Sequence, residues 1–143
     1  MGWHLQFFLD LEKMPEAEAK LASLKLNIVI DHFAKCQAAN GVNGAAFQAL
    51  LRLVRRDNVW AKMMGSYFLS RHKPMYPDVI PLAQAMVAAA PDRMVWGSDW
   101  PHPAARSNMP DDGDLANQFG EWVTDEGMRT RILVDNPARL YGF

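Results

Sequence analysis

The stretch V-W-G-S-D-W-P-H, Val95 to His102, ends an apolar run on a carboxylate, a tryptophan, a proline and a histidine. I-V-I-D-H, Ile28 to His32, ends in the same way. A carboxylate or imidazole just past a buried strand can deprotonate water, bind a metal or steer a carbonyl oxygen. Each also has a plainer reading. Asp99 is either the N-cap of the following turn or a base acting on water. His32 is either a satisfied structural group or an imidazole facing a ligand. Asp31 and His32 are adjacent, so strand alternation sends their side chains apart and makes Asp31 a packing or capping group. Arg71 is either an anion clamp, its guanidinium matched to a carboxylate, or an unpaired loop residue. Asp10 (with Gln6 or His4), Lys62, Tyr67, His72 and His102 fall at the same strand ends. Gly97, Ser98 and Pro101 let the chain turn closely, so that His102 returns over the opening.

A catalytic zinc takes about three protein ligands and keeps one position open. His32 and Asp99 supply two, and no H-x-H pair occurs in the chain. A divalent metal such as zinc is therefore left open, with His32 and Asp99 as its ligands if one binds.

These residues need a scaffold that brings strand ends together. Trp3–Leu9 reads as a first strand, and Pro15 opens a helix reaching about Leu24. Leu26–His32 is a second strand whose continuous apolar centre suits burial on both faces, as in parallel sheets. Phe47, Leu50, Leu51 and Val54 form one helical stripe. A third strand, N-V-W-A-K-M-M, leads into a loop, G-S-Y-F-L-S-R-H. A third helix covers roughly Asp78–Ala90, and R-M-V-W-G-S-D is the fourth strand. The tail is helical, with Leu115, Phe119, Trp122 and Val123 on one face. Thr124 reads as an N-cap, and Asn136-Pro137 as a fresh helix start. Trp60, Trp96 and Trp100 read as packing residues. Strand–helix units of about 30 residues predict an α/β fold with parallel strands and outer helices. Both a small open sheet and half of an eight-stranded barrel fit, and the uncovered first strand favours the barrel half.

The chain's 143 residues and formal net charge of -1 fit a single domain, residues 1–143, and argue against nucleic acid. Half the residues are apolar, which is enough for a core. Arg52, Arg55 and Arg56 read as the wet face of a helix. Cys36 is the sole cysteine, which points to a reducing, cytoplasmic setting. No apolar run is long enough to span a bilayer, and the opening M-G-W-H lacks the basic region of a signal peptide.

The motifs D-H at 31–32, V-W-G-S-D-W-P-H at 95–102, N-M-P-D-D-G-D-L at 108–115 and V-D-N-P-A-R-L-Y-G at 134–142 together resemble the amidohydrolase-related family. Within it they are most similar to the 2-pyrone-4,6-dicarboxylate lactonase branch. The resemblance implies the C-terminal half of a (β/α)₈ TIM barrel, the four strands standing as strands five to eight, followed by C-terminal helices. It implies a hydrolase that activates water against a lactone or carboxylic ester, with Asp99 as the base and His32 as the strand-six histidine. Tyr67, Arg71 and His102 would orient the substrate, a small organic acid ester or lactone. The family's H-x-H pair has no counterpart here, and Phe68 stands where the lactonase carries a carboxylate-binding arginine, which implies a less charged substrate. Two alternatives stand beside this reading. One is a metal-dependent decarboxylase on the same barrel; the other is a non-catalytic fragment that self-associates. Two open sheet edges in half a barrel predict a homo-oligomer.

Overall fold

The computed structural model describes residues 2–105 and 109–143. Met1 and Asn108, each part of a stretch read above, lie outside the described residues. Four strands, β1 (Leu5–Phe7), β2 (Ile28–Ile30), β3 (Val59–Met63) and β4 (Met94–Trp96), form one sheet in the order β1-β2-β3-β4. All three neighbouring pairs are parallel. Each strand lies beside its predecessor in sequence, with helical crossovers between, which is how a (β/α)₈ barrel grows. The sheet and its flanking helices have the architecture of half such a barrel.

The crossover after β1 is α1 (Ala17–Ser23), and that after β2 is α2 (Ala45–Val54). Phe47, Leu50, Leu51 and Val54 are all buried, as their spacing requires. Ile28, Ile30, Val59, Ala61, Met63 and Met94 share the core with Leu50, Leu53, Leu82 and Met86. The last two belong to α4 (Ile80–Ala89), where Pro81 sits harmlessly in the first turn. Val29, Trp60 and Val95 form a second, smaller cluster on the sheet with Leu140.

Leu140 belongs to the C-terminal helical run, which departs from its sequence reading. After α5 (Asp112–Trp122), the N-cap of α6 (Glu126–Thr130) is Asp125, not Thr124; its carboxylate accepts from the Met128 N–H at 2.7 Å. Residues Arg131–Asp135 form a wider π turn that runs directly into α7 (Asn136–Tyr141). Asn136 is therefore inside a helix and caps nothing. Its buried side-chain amide instead donates to the carbonyls of Pro91 and Met94, both at 2.8 Å, and fastens the tail to the start of β4. Arg139 completes the anchor, its guanidinium 4.9 Å from the Trp60 ring centroid.

Two further expectations need correction. The stretch G-S-Y-F-L-S is not all loop, because Ser66–Leu69 closes one helical turn, α3. Trp100 does not pack; it is 75 % exposed, whereas Trp60 is buried.

Candidate active site

The carboxyl ends of the strands converge on a hollow of about 440 Å³, lined by Phe8, Asp31, His32, Lys35, Phe68, Asp99, Pro103 and Ala104. Asp99 takes a positive φ of 70° in the turn after β4, and the His102 N–H closes that turn on the Asp99 carbonyl at 2.7 Å. Asp99 is not a cap. Its Oδ1 lies 3.1 Å from His32 Nε2, and its Oδ2 accepts the Tyr67 hydroxyl. Burial first, and Asp99 second, push the Tyr67 phenol well above its ordinary pKa, so it stays a donor through the neutral range.

His32 reaches this position by an unusual backbone route. His32, Phe33, Ala34 and Lys35 all have φ between 50° and 56°, a left-handed turn built from four non-glycine residues. Such a conformation costs about 1–2 kcal/mol per residue. Fully buried Phe33 and Ala34 offset it: Phe33 stacks edge-on against Trp122 at 5.5 Å, and the Ala34 carbonyl accepts the Leu11 N–H. The turn also overrides strand alternation. Asp31 and His32 were expected on opposite faces, yet both line the hollow, because β2 ends at Ile30 and the left-handed turn swings the ring back. Phe8 and Phe68 hold the imidazole edge-on, at 4.8 and 5.1 Å between centroids. Gly65 lies beneath it, where an added Cβ would come within 2.5 Å of His32 Cδ2.

Asp31 anchors a second polar group under the hollow. It accepts from Gln6 Nε2 at 2.9 Å and lies 3.8 Å from Lys62 Nζ. Asp31, Gly65 and Lys35 were missed as site residues. Gly65 alone carried a usable signal, a glycine at the end of an apolar strand. The remaining sequence-derived candidates separate. Tyr67 reaches Asp99 directly. His102 is 1 % exposed, edge-on to Tyr67 at 6.0 Å, with Nε2 3.1 Å from Asp112 Oδ1; it lies behind Tyr67, not over the mouth. Arg71 is exposed and does not line the hollow. His72 pairs with Asp78, Asp10 with Lys13, and His4 rests on Tyr141. Arg52 pairs with Glu18, so this part of the basic run is a paired helix face.

A parallel sheet whose carboxyl ends present an aspartate held by a histidine and a tyrosine beside a cavity places these side chains where (β/α)₈ barrels carry their sites. The chain belongs to the amidohydrolase family, whose pattern matches residues 1–143. It is 43 % identical over 144 residues to the 4-sulfomuconolactone hydrolase of Hydrogenophaga intermedia, covering 99 % of this chain and 48 % of that protein. It is 33 % identical over 150 residues to the 2-pyrone-4,6-dicarboxylate hydrolase of Comamonas testosteroni, covering 99 % of this chain and 49 % of the relative. A crystal structure of an Agrobacterium tumefaciens protein in its apo form superposes with a TM-score of 0.87 at 34 % identity, over 99 % of this chain and 51 % of that one. The chain thus spans about half the length of the relatives it matches.

Proposed function

We propose that this chain carries the water-activating half of a lactone or ester hydrolase, with Asp99 as the general base. The observation that supports it is the pinning of both Asp99 oxygens, one by His32 and one by Tyr67, at the edge of a cavity. Each carboxylate oxygen keeps lone pairs beyond those two contacts, so a water lodged against Asp99 can still hand over its proton. The water oxygen then adds to the ester carbonyl carbon. Charge collects on the carbonyl oxygen as Asp99 takes up the proton and is neutralised, and the His32 Nε2–H, no longer drawn by a carboxylate, is shared with that oxygen and stabilises it. When the C–O bond breaks, the proton on Asp99 passes to the leaving oxygen and a hydroxy acid results. Tyr67 stays protonated throughout and fixes the carboxylate plane. His102 and Asp112 brace Tyr67 from behind, and Arg71 reaches the substrate only from outside the cavity wall.

Whether a metal assists is tested by the donor set. Among the described residues no group of three or more His, Cys, Asp or Glu side chains is placed to hold an ion. His32 and Asp99 fall one short of a catalytic zinc site, so no step above runs through a metal.

We also read residues 1–143 as a single structural unit that pairs through both sheet edges, β1 and β4, with a further four-stranded half. A second copy of the chain can supply that half. No helix among the described residues is long and apolar enough to cross a membrane, and a buried thiol at Cys36 suits the cytoplasm.

The experiment is an assay of proton release from a panel of lactones and aryl esters. It compares the 143-residue chain alone with the chain joined to the N-terminal half of the Hydrogenophaga relative. Hydrolysis in the joined form, and little in the chain alone, is the expected result. A folded joined form that opens no lactone overturns the proposal, and carbon dioxide release in its place would establish a decarboxylase.

A further inference from the structure

We propose that Lys35 is a specificity residue that selects a substrate bearing a single negative charge. This rests on the cavity above being the substrate site. Two carboxylates and two cationic or imidazole groups around it are already committed: Asp99 to His32 and Tyr67, Asp31 to Gln6 and Lys62. Lys35 lines the same cavity, and its ammonium makes no ion pair with any described residue. It does not point away into water. The left-handed turn folds it back over the aromatic wall, with Nζ 3.6 Å from the Phe8 centroid and 5.5 Å from that of Phe68.

Phe8, Phe68 and Lys35 therefore make an apolar slot with one uncompensated positive charge at its edge. A flat ring fits between such walls, and a carboxylate or sulfonate on that ring would meet Lys35 while the ring carbonyl meets Asp99 and His32. An ammonium resting on a ring face is only weakly held, so it is free to turn to an anion. A doubly charged ligand would leave its second anion facing Asp31 and Asp99, which repel it. The slot thus favours one charge over none or two.

The test uses two unreactive ligands of nearly equal shape, furan-2-carboxylate and neutral furan-2-carboxamide. Their binding to the 143-residue chain is followed by NMR titration at low salt. The wild-type chain should bind the carboxylate at least tenfold more tightly than the amide. Lys35→Met should bring the two within about twofold without changing amide affinity, and Lys35→Arg should restore the preference. A wild-type chain without that preference, or a folded Lys35→Met chain that keeps it, overturns the proposal. Because the measurement reads binding without turnover, a chain that prefers the carboxylate while the folded joined form opens no lactone would overturn the hydrolase reading alone.

Discussion

His32 Nε2 and Asp99 Oδ1 meet at 3.1 Å although they follow β2 and β4, which are separated in the sheet by β3. Both residues have positive φ, 53° and 70°. Non-glycine residues held in that region cluster at functional sites, because the surrounding fold must over-determine them. Here the contact links two separate strained turns across the cavity floor. In the complete barrel, Asp99→Asn should therefore keep the fold and remove nearly all turnover, since the amide matches the carboxylate in shape but cannot take a proton. Circular dichroism and steady-state lactone hydrolysis check the two halves of this expectation. Unchanged turnover would return Asp99 to a purely structural role.

Gly65 tests the support beneath His32. Its φ is +70°, and a methyl group there would lie 2.5 Å from His32 Cδ2 and 3.0 Å from Phe68 Cδ2. Gly65→Ala should cost about 1–3 kcal/mol, from backbone strain alone. It should also push the imidazole off Asp99. A denaturant midpoint measures the first effect, and a shift of the His32 ring resonances measures the second. A variant as stable as the parent would show that the turn relaxes without cost.

Much of the scaffold was legible in the sequence because it follows periodicity. The buried run Ile28–Ile30 and the stripe from Phe47 to Val54 each obey the burial pattern their spacing demands. Asp99 was legible because a carboxylate ending an apolar strand has few uses. The left-handed turn was not, since four such residues without a glycine leave no compositional trace. Its consequences, Asp31 and His32 on one cavity and Lys35 folded over Phe8, were therefore hidden too. Asn136 misled for another reason. Asn-Pro does open α7, with Pro137 in its first turn, but a π turn runs straight into it, so Asn136 caps nothing and its amide bonds to carbonyls more than 40 residues away.

Cys36 should be inert in the folded chain. It is fully buried, and burial, reinforced by the nearby Glu12 and Asp10 charges, pushes its thiol up to about 12 from 9.0. Native protein at pH 8 should react with iodoacetamide at least a hundredfold more slowly than protein in denaturant. The same shift makes a stability statement. The unfolded thiol loses its proton above about pH 9 while the folded one keeps it, so this contribution is intact below pH 9 and is lost towards pH 12. Cys36→Ala should flatten the stability profile in that window.

Tyr67 should behave similarly at higher pH. Its folded pKa lies above the ordinary 10.0 through burial and Asp99, so its contribution is intact below pH 10 and falls as pH rises beyond it. Tyr67→Phe should lower the alkaline slope of stability while cutting turnover in the complete barrel, because Asp99 loses the donor to Oδ2. An unaltered slope above pH 10 would mean that the phenol is not held as described.

The open edges of the sheet give the last prediction. Among the described residues β1 and β4 each pair on one side only, leaving rows of backbone donors and acceptors without sheet partners. Around β1 the apolar surface is also bare: Trp3 is 81 % exposed, Phe8 54 % and Leu5 45 %. Edges of this kind recruit another strand, and apolar side chains beside them strengthen the recruitment. The 143-residue chain should therefore sediment as a dimer or larger species at micromolar concentration. The eight-strand count favours a twofold pair, in which the β1 edge of each copy meets the β4 edge of the other. Leu5→Lys on the β1 edge should weaken association at least tenfold, because a charge there opposes strand addition while leaving the helix-covered core intact. Analytical ultracentrifugation of both proteins decides it. A cooperatively folded monomer for the parent chain, or an unweakened dimer for Leu5→Lys, would show that this edge does not recruit a second copy.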